Sequence, residues 1–81
     1  MNKIPIVYLE FDDHASRADW QGKDELKSFT ANRVYQVGWL VGEDERVYKV
    51  AGQVEENGEA GDVIAILKST VTKFKKLNVK L

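Results

Sequence analysis

Arg33-Val34-Tyr35-Gln36-Val37-Gly38-Trp39-Leu40-Val41, then Gly42-Glu43-Asp44-Glu45, then Arg46-Val47-Tyr48-Lys49-Val50-Ala51-Gly52-Gln53 is the stretch whose reading decides the fold. Two runs rich in Val, Tyr and Trp flank a short charged segment with a glycine, the pattern of an antiparallel hairpin. In the first run both parities are mostly apolar, and in the second the alternation is loose, so each strand is expected to be covered on both faces over part of its length. A short chain gains such cover by curling its sheet into a small barrel. Gly38 lies inside the first strand, where a missing side chain marks a bulge or sharp bend. Trp39, in mid-strand, is expected in the core.

Outward from the hairpin, Ile4 to Phe11 reads as a first strand, with Ile4, Ile6 and Tyr8 on one side and Val7, Leu9 and Phe11 on the other. Pro5 has no amide proton to donate, which places that end at a strand start or an edge. Residues 12 to 32 form a long polar loop with apolar anchors at Trp20, Leu26 and Phe29, and room for one helical turn near Lys23 to Ser28. A loop of this length in a small domain points to function. Asn57-Gly58 marks the next turn, and Asp62 to Leu67 a further strand. The segment from Asp62 to Leu81 has two readings. At helical spacing Val63, Leu67, Phe74, Leu77 and Leu81 form an amphipathic stripe, giving a β-meander followed by a C-terminal helix. Against this stand seven β-branched residues and a Ser69-Thr70 corner, which favour two strands. The expected fold is therefore all-β, a five-stranded SH3-like barrel with a long first loop and a 3₁₀ corner, formed by residues 1–81 as a single domain.

Eighty-one residues allow one core, and a chain of this size buries only about 60–65% of its unfolded surface. Without cysteine there is no disulfide framework, thiolate metal site or thiol nucleophile, which suits a reducing cytoplasm. The first apolar run is broken by Glu10, Asp12 and Asp13, too soon for a signal sequence or a membrane span. The formal net charge of -1 conceals segregation. Residues 10–25 and 43–62 are acidic, whereas from residue 66 onward the only charges are Lys68, Lys73, Lys75, Lys76 and Lys80.

The order Phe11-Asp12, Ala15-Ser16, Trp20, Glu25-Leu26, Val37-Gly38-Trp39-Leu40-Val41-Gly42-Glu43-Asp44, Val50-Ala51-Gly52, Gly61-Asp62-Val63-Ile64-Ala65-Ile66 and Leu67-Lys68 resembles a group of short bacteriophage and prophage proteins of unassigned function. Two departures stand out: Phe11-Asp12-Asp13-His14 replaces the tryptophan and spacing of the group, and Leu67 stands where the group has a proline. A proline there is incompatible with a continuous helix, which supports the two-strand reading. The resemblance implies a small phage accessory protein in the bacterial host cytoplasm, in a group of which some members act against host defence.

Candidate chemistry is sparse. Asp12, Asp13, His14 and Asp19 are the one cluster with metal-ligand types, but no His-x₃-His or Glu-x-x-His spacing sets a geometry, so no metal or other cofactor is expected. His14 is the sole imidazole, no serine or threonine lies in a nucleophile elbow, and no phosphate-binding glycine loop is present. The expectation is a non-catalytic binding module. Its contacts would come from Trp20, His14 and Arg17 in the long loop and from Tyr35, Tyr48, Arg33 and Arg46 on the hairpin, with the two tyrosines read as cross-strand neighbours on one face. The partner would be a host protein or a small anionic ligand such as a nucleotide, with self-association into a homo-oligomer and no membrane contact. The alternative is single-stranded nucleic-acid binding through Lys68, Lys73, Lys75 and Lys76, which the isoelectric point of about 5.8 disfavours.

Overall fold

The computed structural model describes residues 4–78. Its elements run β1 (Ile6–Asp13), α1 (Lys23–Ser28), β2 (Asn32–Glu43), β3 (Val47–Val54), β4 (Ala60–Leu67), a 3₁₀ turn (Lys68–Thr70) and β5 (Val71–Leu77). All five strands join one antiparallel sheet in the order β4-β3-β2-β1-β5. The helical alternative for the C-terminal segment is thereby corrected: β-branched Val63, Ile64 and Ile66 extend β4, and the chain turns at Lys68–Thr70 into β5. Thr70 Oγ1 donates to the Leu67 carbonyl at 2.7 Å, holding that corner. Residues 79–81, which the last strand was expected to include, lie outside the described residues. The outer strands β4 and β5 are not joined by any ladder, so as a hydrogen-bonded structure the sheet is open.

Alternation along the strands sorts the side chains into two faces. The inner face carries Val7, Leu9 and Phe11 from β1, Val50 from β3 and Ile66 from β4, all buried, with Val34, Leu40, Tyr48, Val71 and Phe74 packed around them. Tyr48 stacks on Phe74 across the curled sheet with ring centroids 4.6 Å apart, so β3 and β5 meet through side chains although they are not neighbours in the ladder. The curl requires β3 to cross close over β2. A Cβ on Gly38 would lie 2.5 Å from the Ala51 carbonyl oxygen and 2.7 Å from Val50 Cγ1, so only glycine admits this approach. The register shift falls slightly later, between Leu40 and Gly42, and lets the strand turn.

Trp39 departs from expectation. It opposes Ile6 on β1 and Ala51 on β3, which places it half-buried on the outer face rather than in the core. It belongs to a rank of directly opposed apolar residues, Leu77, Ile6, Trp39, Ala51 and Val63, that crosses all five strands on that face. Both parities of β2 are therefore apolar for different reasons: the inner one packs into the core, whereas the outer one is half-buried at Trp39 and exposed at Tyr35 and Val37.

The β2–β3 turn is held by Asp44, whose Oδ1 accepts the amide protons of Arg46 at 2.7 Å and Val47 at 2.9 Å. These two bonds, the Arg46 one foremost, hold the carboxyl below its ordinary value of 3.8.

Two outcomes are expected. Gly38→Ala should destabilise the chain by about 1–3 kcal/mol in denaturant unfolding, because backbone stands where the methyl group would go. A folded pKa below the unfolded one means that Asp44 supports folding above the ordinary carboxylate range, and that this support fades as pH falls below 3.8 toward the lower folded value. Across that window wild type should lose more melting temperature than Asp44→Asn, whose amide oxygen accepts the same two bonds at any pH.

Candidate functional site

Residues 14–31 leave the sheet at Asp13 and return to it at Asn32, a pair opposed across β1 and β2. Between these points the segment makes its own structure. Gly22 N–H donates to Glu25 Oε1 at 3.3 Å at the start of α1, Leu26 N–H donates to the Gly22 carbonyl, and Ser28 Oγ donates to the Glu25 carbonyl. Gln21 Nε2 donates to the Asp19 carbonyl, and Arg17 Nη1 donates to Gln21 Oε1. These bonds run between residues of the segment itself, and α1 buries none of its side chains. Residues 14–31 therefore form an arm on the sheet rather than a layer of the core. The Cα radius of gyration of 16.1 Å, against about 11.7 Å for a compact chain of this length, reflects such an extended outline.

The arm carries Trp20 with 100% of its surface exposed and Leu26 with 57%. Beside them the Arg17 guanidinium lies over the Phe29 ring, 5.5 Å from its centroid. Residues 17–21, with Leu26 and Phe29, line a shallow apolar depression of about 550 Å³. A bare indole at the tip of a polar loop contributes nothing to the fold, and its amphipathic ring is the kind of group that anchors protein contacts.

The other expected contact residues do not converge on this arm. His14 is exposed at the mouth of a separate cleft of about 320 Å³, where Phe11, Asp12 and Asp13 face Ile64, Ile66 and Leu67 of β4. Arg33 stands on the outer face, its Nε 2.7 Å from Asp12 Oδ1 and its Nη1 3.7 Å from Glu10 Oε1. The bond to Asp12 raises its already high pKa. Tyr8 Oη donates to the other Glu10 oxygen at 2.6 Å, which raises the tyrosine pKa. Tyr35 lies exposed on this same face opposite Glu10. Tyr48 lies on the inner face against Phe74, so the reading of the two tyrosines as neighbours on one face is corrected. Arg46 is exposed in the β2–β3 turn.

The lysines separate as well. Lys68 Nζ bonds Glu43 Oε2 at 2.6 Å and lies over the Tyr48 ring, with the carboxylate raising its pKa. Lys73 and Lys75 oppose Glu10 and Tyr8 on the outer face, whereas Lys76 opposes Val7 on the other. Leu26, Phe29 and the rank through Trp39 are the surface features that were not singled out as contacts. Their signal in the sequence was the loop anchor spacing and the apolar character of both parities in β2.

Among the described residues no helix is long and apolar enough to cross a membrane, and no three His, Asp or Glu side chains come together as a metal site. Compared with family models, curated proteins and solved structures, the chain matches none.

Because Trp20 touches nothing that holds the fold together, Trp20→Ala should leave unfolding free energy within about 0.5 kcal/mol of wild type. In a Trp39→Phe background, the remaining Trp20 should emit as a fully hydrated indole.

Proposed function

We propose that the chain is a non-catalytic protein-binding module, an SH3-like barrel that presents its first loop as the contact arm. The single observation that carries this is the fully exposed Trp20, set beside Leu26 and the Arg17–Phe29 stack on a segment that packs into no core. The barrel reading draws support from the strand order, with β1 between β2 and β5, from the long first loop, and from the 3₁₀ turn before the last strand. The gap between β4 and β5 is then bridged by side chains, among them Ile66 and Phe74 of the shared core.

A protein partner is favoured over a small anionic ligand by the state of the cations. Arg33 is held by Asp12 and Glu10, and Lys68 by Glu43, so neither presents an uncompensated charge. The division of Lys73, Lys75 and Lys76 between two faces likewise gives single-stranded nucleic acid no continuous basic track. The arm instead offers an aromatic and aliphatic anchor with an arginine at its rim, the composition of an interface centre. A host protein bound in the service of counter-defence, in the bacterial cytoplasm, is the setting that the phage resemblance supplies.

The test is affinity capture from bacterial lysate with wild type, Trp20→Ala and Leu26→Ala, followed by titration of the captured protein. An anchor tryptophan carries about 2 kcal/mol or more, so Trp20→Ala should bind about 30-fold or more weakly, with its circular dichroism unchanged. Equal binding by wild type and Trp20→Ala would remove the arm from the contact.

A further inference from the structure

Arg17 is a cation held in place without a counter-ion. Arg33 is paired with Asp12 and Glu10, and Lys68 with Glu43, whereas Arg17 forms no ion pair among the described residues. Its guanidinium is oriented instead by the Phe29 ring beneath it, 5.5 Å away at the centroid. Stacking uses the flat face of the group and leaves its N–H edge available. The bond at that edge, from Nη1 to Gln21 Oε1, is a long one at 3.5 Å.

The Arg17–Phe29 stack is also the wall between two depressions, since these two residues line both. On one side is the apolar depression that Trp20 and Leu26 help to line. On the other is a depression of about 540 Å³ bordered by Ser16, Ser28, Thr30 and Asn32, residues whose hydroxyl and amide groups can donate hydrogen bonds. Apolar and polar surfaces thus meet at one oriented guanidinium. A partner that covers Trp20 and the Phe29 ring removes water from the Arg17 edge as well. A guanidinium left dry and unpaired would cost binding, so the partner has to bring an acceptor to it.

We infer that the partner of the arm is a peptide segment carrying an Asp or Glu carboxylate beside an apolar side chain. The apolar group enters the Trp20 depression, and the carboxylate meets the Arg17 edge from the side of Ser16 and Thr30. This inference rests on the reading of the arm as the contact surface and adds the chemistry of what it contacts. The planar fork of a guanidinium matches the two oxygens of a carboxylate. A phosphate group offers the same oxygens with more charge. Asp19 borders the apolar depression and Glu25 the polar one, so the surroundings of Arg17 tolerate a monoanion better than a dianion.

Selection from a displayed library of random peptides, run in parallel on wild type and Trp20→Ala, supplies the probe. Wild type is expected to enrich peptides with Asp or Glu next to an apolar residue, and Trp20→Ala to enrich none of them. For the most enriched peptide, exchanging its acid for the matching amide should weaken binding to wild type about tenfold or more. The same exchange should change binding to Arg17→Gln by less than about twofold, whereas a merely structural role of Arg17 would leave the two peptides as different as before. Phosphoserine in place of the acid should bind wild type more weakly than the carboxylate does. No enrichment on wild type, or equal enrichment by Trp20→Ala, overturns the arm reading and this inference together. Trp20-dependent binding that shows no preference for an acid, that keeps its acid preference on Arg17→Gln, or that tightens with phosphoserine overturns this inference alone and leaves the arm as the contact surface.

Discussion

The close crossing of β3 over Gly38 is the constraint on which the rest of the structure depends. With hydrogen in place of a side chain at that point, the Ala51 carbonyl and the Val50 side chain come down onto β2, and Val50 reaches Val7, Leu9 and Phe11. Without that approach β3 and β4 would continue as a flat extension of the sheet, and Ile66 would have no inner side to face. The core is small, with five residues making its buried cluster and few elements available to shield it. Each large apolar side chain fully buried in it contributes about 1.5–3 kcal/mol, so a bend that admits Val50 and Ile66 together decides whether the chain has a hydrophobic centre at all.

The same bend explains the chemistry of the outer face. A curled sheet shields its concave side and leaves its convex side to solvent, yet the convex side here is crossed by Leu77, Ile6, Trp39, Ala51 and Val63. In the middle the rank shelters itself, since Ala51 is fully buried between Trp39 and Val63. Toward β4 it runs out into exposed surface. On the β1–β2 part of that face Tyr8, Glu10, Arg33 and Asp12 form a chain of hydrogen bonds and ion pairs that satisfies its own charges. Polar residues there compensate one another, and exposed apolar surface remains at Tyr35 and Val37 beside them, at Leu77, along β4 and on the arm.

Much of the fold was legible in the sequence because its signals are local. The β-branched character of Val63, Ile64 and Ile66, the Asn57-Gly58 turn, the Ser69-Thr70 corner and the short helix at Lys23 to Ser28 each follow from a few neighbouring residues, and the structure contains all of them. Gly38 was readable as a bend because a glycine amid Val and Trp weakens a regular strand. What could not be read was which face each residue of β2 takes. With both parities apolar, alternation gives no sign of inside and outside, so Trp39 looked like core and Tyr35 looked like a neighbour of Tyr48. The registers of β1 with β2 and of β2 with β3, which settle the point, are set by contacts far apart in sequence. For the site, the loop length and the isolated Trp20 were visible. The pairing of Arg33 with Asp12 and of Lys68 with Glu43 was not, because it joins residues 21 and 25 positions apart.

The contrast between core and arm separates packing from local order. Residues 14–31 hold their shape through bonds among themselves, and they leave and rejoin the sheet at the opposed pair Asp13 and Asn32. The short helix and its Glu25 contacts order the segment around Trp20 and Leu26, and local order of this kind lowers the entropy that a segment loses on binding. The curled sheet keeps its packing in the strands and its local order in the arm, so that the exposed surface around Trp20 is shaped by a few short-range bonds. Change in the arm is then nearly free of consequence for folding, whereas change at Gly38 or in the buried cluster is not.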